Sequence, residues 1–461
     1  MYDFDLIVIG AGPGGYVAAL KAAKLGLRTA VVENREAGGT CLNRGCIPTK
    51  TMLHASTLYR EALEGEQTGL SAAGVTLDIN ALYQRKAEIS AKLSAGIVGM
   101  FKSAGVTLLT GTGSVTAPHQ VSVAGADGTA AYAAEHILVA TGSVPARPPI
   151  PGLDLEGVMT SDELLAGPAR LYSSIVIIGG GVIGVEFATF YSDLGCQVTL
   201  IEGLERLLPS MDRDISQNLT QILKKRGVKV YTKALVSQVT REGDGLCVHF
   251  TSKDAAATAE GEAVLCAIGR APLTEGVFAP GLAPEMAGRR IAVDEHFQTS
   301  IPGVYAIGDV SSQVQLAHVA SAQGTACVEA LCGVQPTVDL SVIPGCVYCR
   351  PEIACVGMSE QMCKDAGIPA VAEKAVLFGN ARTMIENSDR SFMKVVARTD
   401  THQIVGAQLM CERATDMISQ LSLAIANHQT VEDLLHAMRP HPTFEEALGE
   451  CLEKLIDKLS A

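Results

Sequence analysis

The 461-residue sequence is poor in positive charge and in long apolar segments. Lys and Arg number 36 against 49 Asp and Glu, and the formal net charge of −13 argues against a general nucleic-acid binder or a binder of anionic membranes. No apolar run reaches the about 18 residues that a membrane-spanning helix requires. The first residues include no basic leader, so we expect no signal or transit peptide and a cytoplasmic protein.

The cysteines lack the arrangement of a secreted disulfide framework. There are 13 of them, an odd number, scattered along a long chain. Cys346 and Cys349 form a C-x-x-C pair, but no second such pair and no nearby histidine accompany it. This favours thiols on a strand over a zinc site, and we predict no metal site.

Two segments of the chain repeat each other at an offset of 169 residues. Each copy has a four-residue apolar run, a G-x-G-x-x-G loop, a helical stretch that closes at Leu-Gly, and a second strand that ends in an acid. The matching residues are Gly10, Gly12, Gly15, Gly26 and Glu33 in the first copy, and Gly179, Gly181, Gly184, Gly195 and Glu202 in the second. The pattern indicates two dinucleotide-binding folds.

The chemistry of the repeat follows from its geometry. The first glycine permits a tight turn, the second lets the backbone approach a pyrophosphate, and the third packs the helix against the strand. The helix N-terminus offers unpaired amides and a positive dipole end to phosphate. Glu33 and Glu202 are placed to accept hydrogen bonds from ribose hydroxyls. Because Glu202 would repel a 2′-phosphate, we expect the second site to prefer NAD to NADP.

The other glycine- and proline-rich positions of the chain predict its division into domains. Strand-then-glycine patterns end at Gly142, Gly269 and Gly308, and a proline-rich linker runs from Pro145 to Pro151. We predict a first nucleotide domain over residues 1–145, a second over 146–271, a segment over 272–339 that completes the first domain, and a different tail over 340–461. Short strands alternate with amphipathic helices in that tail, which is typical of an α+β layer.

A pair of cysteines follows the first nucleotide unit. Cys41 and Cys46 have C-x-x-x-x-C spacing, unlike the C-x-x-C of thioredoxin-like or zinc sites. Gly45 and Pro48 predict that a helix begins there, and a helix N-terminus lowers the pKa of a thiol. Isolated cysteines would be interpreted as small buried residues, but their position beside a dinucleotide site favours a redox function.

The segment GGTCLNRGCIPTK at residues 38–50 resembles the signature of the flavin-dependent pyridine nucleotide-disulfide oxidoreductases, and the resemblance extends over the whole chain. It implies an α/β fold with two Rossmann-like dinucleotide-binding domains plus a C-terminal α+β dimerisation domain. It also implies FAD in the first site, NAD in the second, and a homodimer. The four ranges above then become the FAD domain, the NAD domain, the central segment and the dimerisation domain.

The resemblance also implies roles for individual residues. The cysteine matched by Cys46 lies against the flavin, and the one matched by Cys41 exchanges with substrate. Lys50 and Glu186 match a pair near the reactive flavin nitrogen, and Asp309 matches the residue that binds the ribitol. The other residues that we expect to bind cofactor are Thr40, Thr141, Gly142, Gly269 and Arg270.

The C-terminal segment from Pro440 to Ala447 resembles the histidine-proline-threonine segment of one branch of the family, the dihydrolipoyl dehydrogenases. There the histidine, here His441, is the acid-base group for the substrate thiol in the opposite subunit, and Glu446 orients it. Such a base is needed because only a thiolate attacks a disulfide. Thr443-x-x-Glu446 also fits a helix capping box, and the two roles can coexist. Arg439 stands where this branch commonly has a second histidine, which leaves the local hydrogen bonding open.

The resemblance therefore implies oxidation of protein-bound dihydrolipoyl groups by NAD⁺, through a Cys41–Cys46 disulfide and FAD. The partner would be a lipoylated protein of a 2-oxo acid dehydrogenase complex or of the glycine cleavage system. A glutathione-type disulfide reductase is the first alternative, although Glu202-Gly203 stands where such enzymes hold a 2′-phosphate with arginine. A non-catalytic FAD-binding scaffold is the second.

Overall fold

The first nucleotide unit is a parallel sheet covered by helices. In the computed structural model, which describes residues 1–460, its strands are β1 Phe4–Ile9, β2 Thr29–Glu33, β3 Thr107–Thr110, β4 Thr112–Ala117, β5 Gln120–Gly125 and β6 Gly128–Val139. Its helices are α1 Pro13–Lys24, α2 Gly39–Arg44, α3 Cys46–Leu63 and α4 Ile79–Ala104, and a 3₁₀ turn spans Gly65–Thr68. The strands β3-β2-β1-β6 are parallel, and β5 and β4 add an antiparallel extension to β6.

The second unit repeats this arrangement. Its strands are β8 Val158–Thr160, β9 Ser174–Ile178, β10 Gln197–Ile201, β11 Lys229–Tyr231, β12 Ala234–Glu242, β13 Gly245–Ser252, β14 Ala255–Gly261 and β15 Ala263–Cys266, and it is flanked by β7 Ser143–Pro145 and β16 Arg270–Pro272. Its helices are α5 Ser161–Ala166, α6 Val182–Asp193 and α7 Arg213–Lys225. The parallel order is β11-β10-β9-β15-β8, and β12-β13-β14 form a separate antiparallel sheet. β9–α6–β10 matches β1–α1–β2 element for element, as the repeat predicts.

The chain crosses between the two units twice, and the crossings touch. β7 and β16 pair antiparallel as a two-stranded ribbon, with Ser143 opposite Pro272 and Pro145 opposite Arg270. After β16 come β17 Met286–Ala287, β18 Arg290–Ile291, β19 Val304–Ala306, a 3₁₀ turn at Gly308–Val310 and α8 Ala317–Leu331. β19 pairs parallel with β6, so the chain returns to the first sheet.

The tail is an antiparallel sheet with helices on it. Its strands are β20 Gly345–Val347, β21 Ile353–Gly357, β22 Ala370–Val376, β23 Phe392–Arg398 and β24 Ile404–Met410, in the order β20-β21-β24-β23-β22. The helices are α9 Glu360–Asp365, α10 Ala381–Ile385, α11 Ala414–Ala426, α12 Val431–Leu435 and α13 Glu446–Ser460, with a 3₁₀ turn at Leu377–Gly379. The amphipathic pattern of α13 buries Leu448, Cys451, Leu452 and Leu455. The predicted α+β layer is confirmed.

Candidate active site

A cavity of about 1100 Å³ lies where the two nucleotide units meet. Ligand pockets commonly measure about 300–1,000 Å³, so this one has room for extended ligands. The cysteines and Lys50 line it together with Glu186 from the second unit. It is also lined by all the sequence-predicted cofactor residues except two, namely by Gly10, Gly12, Glu33, Thr40, Thr141, Gly142, Gly179, Gly181, Glu202, Gly269, Arg270 and Asp309.

The two exceptions, Gly15 and Gly184, serve the fold instead. A Cβ on Gly15 would lie 1.8 Å from the Gly10 carbonyl oxygen, and one on Gly184 would lie 1.8 Å from that of Gly179. The first glycine of each loop is equally constrained, because Gly10 has φ +104° and Gly179 has φ +111°. These positions accept only glycine because other residues would collide with the backbone.

The middle glycine of each loop faces open space. A Cβ on Gly181 would meet no protein atom within 4 Å, and one on Gly12 would first meet the Gly39 Cα, at 4.0 Å. No protein contact therefore requires a glycine at either position. Both glycines line the cavity, at the ends that begin α1 and α6, so a side chain would fill space that a pyrophosphate would use. The loops thus fit the dinucleotides expected of them.

The acid of each copy is anchored at its loop. Glu33 accepts hydrogen bonds from the backbone N–H of Ala11 and of Arg35, both at 2.8 Å. Glu202 accepts from the N–H of Gly180 at 2.5 Å and of Leu204 at 2.6 Å. A carboxylate has about four acceptor positions, so each can also accept from a ribose hydroxyl.

Arg206, three residues beyond Gly203, is the cation to consider for a 2′-phosphate. Its guanidinium instead donates to the carbonyl oxygens of Pro209 at 2.9 Å and Met211 at 3.3 Å. These bonds hold it within its own loop, while the Glu202 carboxylate occupies the end of β10. The electrostatics at this strand end therefore favour a ribose diol over a phosphate.

The cysteine pair spans the break between two helices. Cys41 lies in α2, and α3 begins at Cys46, as Gly45 and Pro48 predicted. Both are free thiols in this structure. The pKa of Cys46 is lowered to about 7, chiefly by the hydrogen bond from Cys41 and also by the Lys50 ammonium, while burial and the Glu186 carboxylate oppose the shift. Donating that bond and being buried raise the pKa of Cys41. In the reduced pair, Cys46 is therefore the thiolate and Cys41 holds the proton.

Lys50 and Glu186 form a partly buried ion pair across the two units. The Lys50 Nζ lies 2.8 Å from both carboxylate oxygens of Glu186, whose side chain is 4% exposed. Glu186 also accepts from the Tyr348 N–H at 3.1 Å, and the Lys50 ammonium lies 4.7 Å from the centre of the Tyr348 ring. Tyr348 belongs to the tail, and no motif gave it a role.

Asp309 sits at the end of a hydrogen-bonded chain through the ribbon. The Ser143 hydroxyl donates to Asp309 at 2.5 Å and accepts from Arg270 Nε at 2.8 Å. Arg270 also donates to the Ser143 carbonyl oxygen at 2.7 Å and to Asp162 at 3.2 Å. Burial raises the pKa of Asp309. Ser143 was missed by the motifs, although it directly follows the predicted Thr141-Gly142 pair.

His441 and Glu446 form the predicted pair on the surface of the tail. His441 Nδ1 lies 2.8 Å from Glu446 Oε1, and the imidazole is 74% exposed. The second oxygen of Glu446 accepts from the Thr443 N–H at 2.9 Å, and these two bonds lower the pKa of Glu446. The capping box is half wrong, because the Thr443 hydroxyl donates to the Pro440 carbonyl oxygen instead and α13 begins at Glu446.

Arg439, which departs from the histidine expected there, has a structural partner. Its guanidinium donates to the carbonyl oxygens of Leu434 and Ala437, both at 3.1 Å, at the C-terminal end of α12. Its stem passes close to Gly449, where an added Cβ would lie 3.4 Å from Arg439 Cδ. Arg439 thus caps a helix.

In the single chain, neither His441 nor Glu446 is among the residues that line the cavity. The tail that carries them also has six large apolar side chains that are at least 60% exposed. These are Val376, Phe378, Met384, Ile385, Leu423 and Met438.

Comparison with known proteins decides the family. Residues 4–324 match the family described as pyridine nucleotide-disulphide oxidoreductase, and residues 343–452 match its dimerisation domain. The chain belongs to this family. The chain is 37% identical to a dihydrolipoyl dehydrogenase of Bacillus subtilis, with 97% of each chain covered. It is 36% identical to a mitochondrial dihydrolipoyl dehydrogenase of Pisum sativum, covering 98% of this chain and 92% of the other.

Solved structures of the oxidoreductase family agree with the fold. LpdA of Mycobacterium tuberculosis superposes with a TM-score of 0.89 at 29% identity, covering 98% of this chain and 99% of the other. The HOCl-induced flavoprotein disulfide reductase RclA of Escherichia coli gives 0.86 at 28% identity, covering 97% and 99%. The predicted family, fold class, enzyme class and cofactors, FAD and NAD, are confirmed. Within residues 1–460, no helix combines the length and apolarity needed to cross a membrane.

Proposed function

We propose that this protein oxidises dihydrolipoyl groups carried by another protein to lipoyl disulfide and reduces NAD⁺ to NADH. The observation that carries the proposal is the thiol pair with a stabilised Cys46 thiolate, set against the Lys50–Glu186 ion pair where two dinucleotide loops meet. The exposed His441–Glu446 pair supplies the base that a dithiol substrate requires. Relatives named dihydrolipoyl dehydrogenase, similar over nearly the whole chain, support the same substrate.

The chain's own residues perform the thiol chemistry. His441 removes a proton from one substrate thiol, and the resulting thiolate attacks Cys41 of the disulfide, forming a mixed disulfide and releasing Cys46 as thiolate. His441 then gives that proton to the Cys41 sulfur as it leaves and accepts the proton of the second substrate thiol, whose sulfur attacks the substrate sulfur of the mixed disulfide and closes the lipoyl ring. A pKa of about 7 makes Cys46 a good leaving group.

The residues that would hold the cofactors are those of the cavity. The loops at Gly12 and Gly181 would bind the two pyrophosphates, with Glu33 and Glu202 on the ribose hydroxyls and Asp309 on the ribitol. When bound, FAD supplies the two-electron acceptor between the thiol pair and NAD⁺. Glu202, and the binding of Arg206 within its own loop, support NAD over NADP and so oppose a glutathione-type reductase.

We further propose a homodimer in which the histidine of one protomer serves the cysteine pair of the other. Three observations support it: His441 is exposed and outside the cavity of its own chain, the tail matches a dimerisation domain, and six large apolar side chains of the same tail are at least 60% exposed. An isologous interface would bury that apolar surface.

The remaining predictions stay proposals of the same kind. They are the boundaries of the FAD domain at 1–145, the NAD domain at 146–271, the central segment at 272–339 and the interface domain at 340–461. They also include a cytoplasmic location and a lipoyl-bearing partner from a 2-oxo acid dehydrogenase complex or the glycine cleavage system.

The test is anaerobic turnover of the FAD-loaded enzyme with two substrate pairs. We expect rapid NADH formation from dihydrolipoamide and NAD⁺, and little turnover of glutathione disulfide with NADPH. Cys46→Ser should abolish the dihydrolipoamide reaction, whereas Cys363→Ser, which alters a buried thiol in α9 outside the cavity, should leave it unchanged. Faster reduction of glutathione disulfide, or dihydrolipoamide turnover in the Cys46 variant, would contradict the proposal.

A further inference from the structure

The outer face of the three-stranded sheet β12–β13–β14 carries a cluster of metal-binding side chains. Leu246, Val248 and Phe250 of β13 point into the core beneath. The alternate residues Cys247 and His249 therefore share the opposite face. On β12, Glu242 lies two residues beyond Thr240, which pairs directly with Cys247.

The cluster has the composition and spacing of a cation site. One ligand atom from each of Glu242, Cys247 and His249 lies within 4.8 Å of the other two. A tetrahedral zinc ion with bonds of about 2.0–2.3 Å holds its ligand atoms about 3.3–3.8 Å apart, so modest side-chain rotation would close the site. In the part of the chain that the structure describes, residues 1–460, no other group of three such residues meets this spacing.

Polar and acidic side chains surround Cys247. Although it lies on the outer face, Cys247 is 1% exposed. Glu260 lies opposite it on β14 and adds a second carboxylate. The Thr240 hydroxyl hydrogen-bonds His249 Nε2 at 2.8 Å, which orients the ring.

We propose that Glu242, Cys247 and His249 bind a borderline-soft divalent cation such as Zn²⁺. Thiolate, imidazole and carboxylate are the three ligand types that zinc accepts, and Glu260 or water would supply the fourth position. Cys247 would bind the ion as its thiolate, because the thiolate and not the thiol is the metal ligand. Binding therefore transfers the thiol proton to solvent, with one proton released for each ion bound. None of the three residues lines the active-site cavity, so the site is separate from the thiol-disulfide chemistry.

The experiment is a titration of the oxidised, FAD-loaded enzyme with Co²⁺, a spectroscopic substitute for Zn²⁺. In this form Cys41 and Cys46 are joined and cannot bind the ion as a dithiol. We expect one Co²⁺ to bind per chain, with release of one proton and displacement of Co²⁺ by Zn²⁺. The difference spectrum should show a thiolate-to-metal absorption, together with ligand-field bands at wavelengths beyond those of the oxidised flavin.

Two variants and a control decide the result. Cys247→Ser should remove the thiolate absorption, and His249→Gln should weaken binding at least tenfold, while dihydrolipoamide turnover stays unchanged in both. Cys363→Ser, an equally buried thiol elsewhere, should bind like the parent protein. Binding without thiolate absorption or proton release, or absorption that persists in Cys247→Ser, would overturn the proposal. If the serine variant does not fold, the proton count and His249→Gln give the same decision.

Discussion

The Lys50–Glu186 pair allows a prediction with opposite signs for its two members. Removing the ammonium in Lys50→Met should raise the pKa of Cys46, whereas removing the carboxylate in Glu186→Gln should lower it. Residues four apart on a helix have Cβ atoms about 5–6 Å apart, and a unit charge at about 6 Å with an effective dielectric constant of about 20 contributes about 3 kcal/mol. That corresponds to about two pH units. The Lys50 side chain is 29% exposed, so solvent screening reduces the expected rise to about one pH unit.

The same substitutions should differ in their effect on stability. Lys50→Met leaves the Glu186 carboxylate buried with only the Tyr348 N–H as partner, and breaking such a pair costs about 3–5 kcal/mol when both groups are buried. With Lys50 partly exposed, we expect about 2–3 kcal/mol. Glu186→Gln should cost less, because the ammonium that remains can reach solvent. In the double variant the two costs should be less than additive.

The assay follows alkylation of Cys46 against pH in the reduced, FAD-loaded enzyme, by mass spectrometry of its peptide. The parent midpoint should lie near pH 7, below the ordinary thiol value of 9.0. Ionisation of Cys46 should therefore stabilise the reduced protein fully above about pH 9, and this contribution is lost as the pH falls through about 7. Lys21→Met is the matched control, because Lys21 also pairs with a buried glutamate, Glu329 at 2.7 Å, but does not line the active-site cavity. Shifts of the same sign in both variants, or an equal shift in the control, would refute the electrostatic account.

Two further predictions concern the acid-base pair and the loops. His441→Gln should reduce turnover by about 10²–10⁴-fold without changing the melting temperature, because the side chain is exposed. Arg439→Met should lower the free energy of unfolding by about 1–2 kcal/mol and keep the pH profile of turnover. Stopped-flow rates and urea unfolding measure both effects, and an altered pH profile in the Arg439 variant would show that Arg439 takes part in the chemistry. Gly181→Ala should weaken NAD⁺ binding and leave the stability unchanged, whereas Gly184→Ala should destabilise the fold. Calorimetry measures both quantities, and equal losses of stability in the two variants would contradict their separate roles.

The local parts of this protein could be predicted from its sequence. The nucleotide loops, the helix that begins at Cys46 and the His441–Glu446 pair all depend on residues within about one turn or one strand of each other. The glycines were predictable because φ and steric limits act at single positions.

The long-range contacts could not be predicted. The hydrogen bonds from the Tyr348 N–H to Glu186 and from the Ser143 hydroxyl to Asp309 join residues that are 162 and 166 positions apart in the sequence. A hydrophobic pattern or a short motif carries no information about contacts over such separations. The half-formed capping box at Thr443 failed for a related reason. Its hydroxyl had a competing acceptor, the Pro440 carbonyl oxygen, that a motif of fixed spacing does not describe.

The ribbon of β7 and β16 makes the second nucleotide unit a single insertion within the first. Pro145 and Arg270 are paired neighbours, so the 124 residues between them, 146–269, leave and re-enter the first unit at one point. If a two-residue turn replaced residues 146–269, β7 and β16 would form an ordinary β-hairpin, and the strands of the first sheet would keep their positions. A related unit with a different nucleotide preference, grafted through the same two strands, would have to keep Glu186 and the apolar residues that share a core with Met52 and Leu53 of the first unit. Under that condition coenzyme choice can change by recombination as well as by point substitution.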